Sequence, residues 1–274
     1  LPKLVSGELV SAIAMTEPGV GSDLQSITTT ALKDGNGYRI NGAKTYISNG
    51  ILSDLVVVAA RTDPEKPHGI SLFLVERGMD GFERGRRLEK MGLKSQDTAE
   101  LFFNDVHIPR ANLLGEEHQG FRYLTRFLAQ ERLVGSIGFL ANAQHAFDVT
   151  LDYVKERRAF GKPIGAFQNT RFQMAQMRAE LDMLQTFVDQ CVMLLNAGEL
   201  TAEDASSAKL LTSEIEGRVT DTCLQLHGGA GYMDEYPISR MYTDARISRI
   251  YAGTSEIMRE IIGRSLGLDE RKMS

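Results

Sequence analysis

Residues 16–23 read Thr-Glu-Pro-Gly-Val-Gly-Ser-Asp and directly follow an apolar segment that begins at Val10. A loop with two glycines and several hydroxyl groups after a strand can bring backbone N–H groups close to a polar ring or a phosphate, because glycine has no Cβ. Taken alone, the loop is more often a tight β-turn, since no helix follows it as a dinucleotide-binding fold requires.

Around this loop, the first part of the chain has the period of short strands separated by Gly, Asn, Asp and Pro turns. The strands end near Pro109, because a proline there cannot continue a central strand. The predicted strands are 10–16, 27–33, 38–40, 44–47, 55–60, 70–75 and 99–103. Their spacing predicts an antiparallel β-barrel or sandwich over residues 1–112.

Beyond Gly115 the apolar residues recur at three- and four-residue spacing. The predicted helices are 121–158, 169–197, 201–226 and 254–266, with breaks at 162–163, 196–198 and 228–229. Thr201 is the predicted N-cap of the third helix, because its hydroxyl can accept a backbone N–H. Long helices with short connections predict an antiparallel four-helix bundle over residues 113–274, and the whole chain is therefore predicted to be α+β.

Composition limits the classes of function. The 274 residues suggest two structural units, and the net charge of -5, with both signs mixed along the chain, argues against a nucleic-acid surface. No apolar run is long enough to cross a bilayer, and the chain does not open with a leader pattern. We expect two reduced, packed thiols at Cys191 and Cys223, and the five histidines show no metal-ligand spacing.

Residues 251–256 read Tyr-Ala-Gly-Thr-Ser-Glu. Together with residues 16–23, this segment resembles the two signatures of the acyl-CoA dehydrogenase family. The resemblance implies an FAD enzyme that converts an acyl-CoA thioester to the trans-2-enoyl-CoA and passes electrons to an electron-transferring flavoprotein. Relatives begin with an all-helical domain that has no counterpart here, so a fragment or processed form is one expectation. Cytoplasm is the expected compartment, with the mitochondrial matrix as the alternative.

The resemblance also implies which residues hold the FAD. Met15, Thr16 and Ser22 would meet the isoalloxazine ring, with Tyr46, Ile47 and Ser48 covering its other side. Residues of the helical domain would reach the FAD of a neighbouring subunit, which implies a homo-oligomer, most simply a dimer of dimers. These residues are Arg157, Phe160, Gln168, Gln225, Leu226, His227, Gly228 and Gly229. Thr254 and Glu256 would bind the adenosine or ribityl part. From the residues alone, the same positions are equally compatible with a solvated helix end, a glycine C-terminus and an ordinary N-cap.

The position of the catalytic base is unusual in this sequence. In many members the residue after the tyrosine is the catalytic glutamate, but here it is Ala252. A subset that includes isovaleryl-CoA and long-chain acyl-CoA dehydrogenases carries the base on a helix, at the position that matches Glu131. From periodicity alone, Glu131 and Arg132 would be a surface ion pair, although their apolar neighbours favour burial. By the resemblance, the substrate would contact Ser22, Leu128, Arg132, Ala252 and Gly253, with the Ala252 N–H on the thioester carbonyl.

Three other functions fit the same residues. An acyl-CoA oxidase would keep the fold and pass electrons to oxygen, and a related enzyme would accept a carrier-protein thioester. A non-catalytic FAD-binding or scaffold protein would explain Ala252 and the missing helical domain, although the retained Glu131 argues against it.

Overall fold

The computed structural model describes residues 1–66 and 68–269. The chain divides into two compact units, Leu1–Arg126 and Phe127–Ser274. The predicted order of a β-domain followed by a helical domain is confirmed. The domain boundary after residue 112 stays a prediction, and residues 270–274 of the predicted second domain lie outside the described residues.

The first unit is built on one eight-stranded sheet with the order β6-β7-β3-β2-β4-β5-β8 and β1 beside β4. A short helix α1 (Pro2–Val5) precedes it and α2 (Gly120–Arg126) follows it. The strands are β1 (Ser11–Ala14), β2 (Thr30–Asp34), β3 (Gly37–Ser48), β4 (Leu55–Arg61), β5 (Ile70–Glu76), β6 (Phe82–Arg87), β7 (Thr98–Pro109) and β8 (Leu113–Leu114).

Most pairs in this sheet are antiparallel, as predicted, but β1 runs parallel to β4, with Ser11 opposite Leu55. A parallel pair needs a long connection. The segment between β1 and β4 supplies it, because it contains β2 and β3. Strand β2 also pairs with β4 in parallel, through Thr30 and Arg61. Local sequence patterns do not show such long-range pairings, so these parallel pairs within the predicted β-domain were not foreseen.

Two strand predictions needed correction. The predicted strands 38–40 and 44–47 are one strand, β3, in which the predicted turn is only an irregularity of the pairing with β7 at Gly42, whose φ of 147° favours glycine. Strand β6 was missed because its sequence, Phe-Glu-Arg-Gly-Arg-Arg, has one large apolar residue and a glycine. Strand β6 nevertheless forms an antiparallel pair with β7.

The core of the first unit lies on both faces of β4 and β5. Val58 and Phe73 point into the larger cluster, where Tyr38 meets Phe73 edge-on at 4.9 Å. Ala59 and Leu72 point into a second cluster covered by α2. Strands buried on both faces read as continuous apolar runs, which is why 55–60 and 70–75 were recognisable.

The second unit consists of helices and one short hairpin. The helices are α3 (Leu128–Glu156), α4 (Gln168–Ala197), α5 (Ala202–His227), α6 (Pro237–Ala245) and α7 (Ser255–Ser265), and the hairpin pairs β9 (Arg158–Ala159) with β10 (Lys162–Pro163). The predicted helix 121–158 is two helices, since Phe127 (φ -108°, ψ 6°) leaves helical geometry. No proline or glycine marks this break. Helix α6 was missed because it is short and begins at a proline.

Hydrogen bonds fix the directions of the long helices. Arg132 bonds Ser206 and Asn142 bonds Glu216, each across 74 residues, so α3 and α5 are parallel and in one register. Arg218 bonds Glu180, whereas Cys223 lies next to Met177, so α4 runs antiparallel to α5. Consecutive long helices are therefore antiparallel, as in the predicted bundle.

Three smaller predictions have structural outcomes. Thr201 caps α5 in a capping box with Asp204, as predicted. Cys191 and Cys223 are both free thiols and both buried. Among the described helices, none combines the length and apolar character needed to span a membrane.

Candidate active site

The loop at residues 16–23 is fixed by a buried ion pair. Glu17 and Val20 exchange two backbone hydrogen bonds around Pro18-Gly19, which closes a tight turn. The Glu17 carboxylate accepts from Lys44 Nζ at 2.9 Å and from the backbone N–H groups of Thr28 and Thr29. The turn is therefore anchored to β3 and to the start of β2.

Hydrogen bonds that the Glu17 carboxylate accepts explain its low pKa. Burial alone raises the pKa of Glu17, but the donors from Thr29, Lys44 and Thr28 together outweigh this effect and lower the pKa to about 2. Burial lowers the pKa of Lys44, and the adjacent Glu17 opposes that effect. We regard the pair as ionised, because the donors around Glu17 all favour its charged form.

The two segments predicted to face the flavin lie side by side in the first unit. Lys44 Nζ donates to Met15 O at 3.0 Å, and Thr45 N–H donates to Thr16 O at 2.9 Å. Met15 and Thr16 are half-buried, and Tyr46 is 70% exposed. The structure thus brings Met15 and Thr16 next to the strand that carries Tyr46.

A β-bulge directs Tyr46 outward. Lys44 pairs with Leu101 and Ile47 with Ala99, so two residues of β3 face one residue of β7. Tyr46 takes a φ of 57° there, which is costly for an aromatic residue. Ile47 packs in the core and leaves only its backbone for a ligand, whereas Ser48 and Ser22 are exposed.

The glycines of the first loop leave room for a ligand. A Cβ added at Gly19 or Gly21 would meet nothing within 4 Å, and neither residue has a positive φ. The fold of the chain itself therefore does not demand glycine at these positions. Open space beside exposed backbone is what close approach of a flat or phosphorylated cofactor requires.

In the second unit, Glu131 lies in the first turn of α3 and is exposed. Burial, expected from its apolar neighbours, is not observed: Leu133 is fully buried, but Phe127 and Val134 are exposed. Periodicity explains this, because the residues around Glu131 lie on several sides of the helix. Leu128, predicted to contact substrate, is half-buried one turn earlier.

Arg132 points the other way, into the bundle, and is 7% exposed. Its Nη1 lies 3.4 Å from Ser206 Oγ, and its Nε has no hydrogen-bond partner within the described part of the chain. Its Nη2 lies 3.8 Å from the position that a Cβ on Gly253 would take. Arg132 therefore links the start of α3, and with it Glu131, to the loop at Ala252 and Gly253.

That loop has an unusual backbone. Ala252 has a φ of 54° and Gly253 a φ of 96°. Among the residues that the structure describes, the Ala252 N–H has no hydrogen-bond acceptor, whereas the Gly253 carbonyl accepts from the buried Lys209 Nζ at 2.7 Å. Backbone N–H groups held in a fixed loop without acceptors can bind a carbonyl oxygen as negative charge develops on it.

The residues after the loop begin a helix. Thr254 Oγ1 accepts from the Ile257 N–H and so acts as the N-cap of α7. Glu256 is exposed, and its pKa is lowered by hydrogen bonds from its own backbone N–H and from Thr254. The N-cap function of Thr254 is thus present, and the Glu256 side chain stays accessible to a ligand.

The hairpin after α3 presents Phe160 to solvent. Phe160 and Gly161 form its tip with φ values of 51° and 82°, as in a type I′ turn. Phe160 is 95% exposed, and the exposed Arg157 guanidinium makes no hydrogen bond or ion pair to any described residue. Gln168 begins α4 nearby and is also exposed.

The segment 225–229 combines a packed histidine with open glycines. His227 stacks on Tyr153 at 4.1 Å and is 5% exposed, so its ring is structural. Gly228 has a φ of 60°, and a Cβ on Gly228 or Gly229 would meet nothing within 4 Å. Gln225 is exposed and Leu226 half-buried. The exposed glycine backbone, rather than His227, is the part that can hold a ligand.

Sequence reasoning missed the buried polar side chains behind these segments. They are Glu17, Lys44, Lys209 and Glu216. A signal existed for Lys209, which stands in an apolar run between Ala208 and Leu210. Nothing in local sequence, however, showed that its partner is Gly253 O, 44 residues away.

Comparison with known proteins finds relatives over nearly the whole chain. The acyl-CoA dehydrogenase middle-domain model matches residues 12–106 and the C-terminal-domain model matches residues 118–267. The chain is 49% identical, over 98% of its length, to the long-chain specific acyl-CoA dehydrogenase of Sus scrofa mitochondria. It is 40% identical over 98% of its length to the mitochondrial isovaleryl-CoA dehydrogenase of Pongo abelii.

Each of these relatives is longer than the chain, which covers 64% of either one. Among solved structures, the acyl-CoA dehydrogenase of Geobacillus kaustophilus superimposes with a TM-score of 0.95 at 53% identity. That match covers 97% of this chain and 70% of the solved one.

Proposed function

The chain belongs to the acyl-CoA dehydrogenase family, and we propose that it holds FAD and introduces an α,β double bond into an acyl-CoA thioester. The observation that carries this proposal is the position of Arg132 Nη2, which lies 3.8 Å from the place that a Cβ on Gly253 would take. The turn of α3 that bears Glu131 therefore lies near the loop that carries the Ala252 N–H, which has no acceptor among the described residues. A base and a carbonyl-binding loop on adjacent segments are what removal of an α-proton requires.

In this proposal Glu131 removes the α-proton and keeps it on its carboxylate. The Ala252 N–H binds the thioester carbonyl, so that the charge released from the C–H bond is stabilised on oxygen. FAD, when bound, supplies the oxidation by accepting the β-hydrogen with its electron pair. The product is the trans-2-enoyl-CoA. Because Glu131 is exposed in this chain, we propose that the bound acyl group itself excludes water from it and so strengthens it as a base.

The residues present fit FAD. Met15, Thr16, Ser22, Tyr46, Ile47 (through its backbone) and Ser48 would hold the isoalloxazine ring. Open glycine backbone at Gly228 and Gly229 and the free guanidinium of Arg157 suit a pyrophosphate, since arginine can bind it at two points. The exposed Phe160 suggests that a second copy of the chain supplies its binding surface, so we propose a homo-oligomer.

We also propose a class of substrate and an electron acceptor. The relative from Sus scrofa is named long-chain specific, which supports a long straight acyl group as the first substrate to test. We propose an electron-transferring flavoprotein as acceptor; peroxide formation in air would instead indicate an oxidase. We propose the cytoplasm as the compartment, or the mitochondrial matrix, because several relatives are named mitochondrial.

The test is anaerobic bleaching of the flavin absorption by acyl-CoA thioesters of several lengths. The FAD-loaded protein should bleach, and Glu131→Gln should abolish bleaching while retaining the flavin spectrum. Glu199→Gln is the matched control, because Glu199 is an exposed carboxylate beyond the end of α4. Unchanged bleaching in Glu131→Gln would overturn the assignment of the base, and a flavin spectrum that no thioester bleaches would favour a non-catalytic protein.

A further inference from the structure

Lys209 is a buried cation without a carboxylate partner. It lies on α5 with none of its surface exposed, and its Nζ donates to Gly253 O at 2.7 Å. No ion pair of Lys209 with an acid occurs among the described residues. Burying an ammonium group destabilises the fold because the group loses its hydration, and an apolar side chain of similar length would fill the same volume without this loss. The side chain therefore needs an explanation beyond packing.

The charges around Lys209 make the burial of its ammonium group still less favourable. Burial and, to a smaller extent, the nearby guanidinium of Arg132 on α3 lower its pKa to about 8. Glu214 on α5 and Glu256 on α7 act in the opposite direction, but more weakly. Glu214 is itself bonded to Ser255 and lies within 4 Å of Arg249 and Arg259. Two buried cations, Lys209 and Arg132, thus lie together behind the loop.

The loop has few other constraints. Ala252 and Gly253 both have left-handed backbone, and Ala252 is exposed. Gly253 O would be an unpaired carbonyl without Lys209. The bond fixes the peptide plane between Gly253 and Thr254, and so anchors the loop directly after the residue that carries the Ala252 N–H.

We propose that Lys209 is a positioning residue for the proposed dehydrogenation: it holds the loop so that the Ala252 N–H meets the thioester carbonyl, and it adds positive charge behind that carbonyl. This inference rests on the proposed function. Charge on the carbonyl oxygen develops mainly in the transition state, so Lys209 acts on the rate of the chemical step more than on binding.

The test compares FAD-loaded wild-type protein with Lys209→Met and with Lys155→Met, an exposed lysine on α3. Anaerobic bleaching gives a limiting rate and a half-saturating acyl-CoA concentration. Lys209→Met should lower the limiting rate at least about tenfold and change the half-saturating concentration less than about threefold. Lys155→Met should change neither. A limiting rate in Lys209→Met equal to that of wild type would overturn the proposal.

Hydrogen exchange of the amides at residues 251–254 gives a readout that needs no turnover. Exchange should be faster in Lys209→Met than in wild type, and equal exchange would overturn the positioning role even if no thioester bleaches the flavin. Failure of the proposed function is recognised separately, by a wild-type flavin that never bleaches. If Lys209→Met does not fold, Lys209→Gln, which keeps a donor but not the charge, is compared in the same two measurements.

Discussion

Lys44 Nζ lies 2.9 Å from Glu17 Oε1, and the two side chains are 0% and 3% exposed. Removing one member of a buried ion pair leaves the other charge without compensation. We therefore expect Lys44→Met to lower the free energy of unfolding by about 3–5 kcal/mol. Urea unfolding of the variant and of wild type measures this difference.

The control is Lys33→Met. Lys33 pairs with Glu117 at 3.0 Å, but its side chain is 68% exposed, so solvent screens the pair. Its loss should cost less than about 1 kcal/mol. Equal losses in the two variants would contradict a special role for the pair of Glu17 and Lys44.

Local patterns predicted much of this fold. The apolar runs of β4 and β5 and the three long helices follow directly from hydrophobic period, and the capping box at Thr201 from residue type. Features that depend on distant residues could not be predicted. The parallel pairing of β1 with β4 is of this kind, whereas the break at Phe127 was missed because no proline or glycine marks it.

The candidate site shows the same division. Tyr46, Phe160 and Ala252 were selected by resemblance, and each has a positive φ that no propensity rule suggested. Non-glycine residues rarely adopt such backbone, and they tend to cluster at functional positions. The buried groups behind the site escaped prediction because a lysine or glutamate in a helix is usually solvated.

Glu216 gives a prediction about pH. It is 4% exposed and accepts from Asn142 Nδ2 at 2.8 Å. Burial raises its pKa from 4.5 to about 7, despite hydrogen bonds from Ser248 and Asn142. Between pH 4.5 and 7 the folded chain keeps a proton that the unfolded chain has lost, so this group's stabilising contribution is lost as pH rises through that window.

The expected loss from Glu216 is about 3 kcal/mol, from the difference between its folded and unfolded pKa values. Glu216→Gln removes the titration, so the stability of the variant relative to wild type should be greater at pH 8 than at pH 4.5. Urea unfolding of both proteins at the two pH values measures the difference. A difference independent of pH would show that the pKa of Glu216 is the same in the folded and the unfolded chain.

Phe160 predicts opposite effects on stability and cofactor binding. A type I′ turn favours Asn-Gly, and an aromatic residue at its first central position is strained. Phe160→Asn should therefore raise the free energy of unfolding of the cofactor-free chain, by up to about 1 kcal/mol. It should also weaken FAD retention, because the exposed ring is lost.

Gel filtration followed by the flavin absorption spectrum measures retention of FAD, and urea unfolding measures stability. The matched control is Phe172→Ala, which removes another exposed aromatic ring, from α4. The control should retain FAD as wild type does. Full FAD retention in Phe160→Asn would argue that the strained ring has no part in the cofactor site.

The position of the base can be tested by moving it. Glu131 and Ala252 lie on adjacent segments joined by Arg132, and many relatives carry the glutamate at the position of Ala252. Glu131→Ala should lose bleaching by acyl-CoA. The double variant Glu131→Ala, Ala252→Glu should regain a measurable part of it, because the new carboxylate reaches the same α-proton from the loop. Anaerobic stopped-flow absorption of the FAD-loaded variants gives the rates.

Glu131→Ala combined with Ile250→Glu is the control, since Ile250 is an exposed residue of the same segment but outside the carbonyl-binding pair. If the double variant with Ala252→Glu is as inactive as Glu131→Ala alone, carboxylates at the two positions do not reach the same substrate carbon. If the Ile250→Glu control also regains bleaching, any nearby carboxylate can act as the base, and the position of Ala252 has no special geometry.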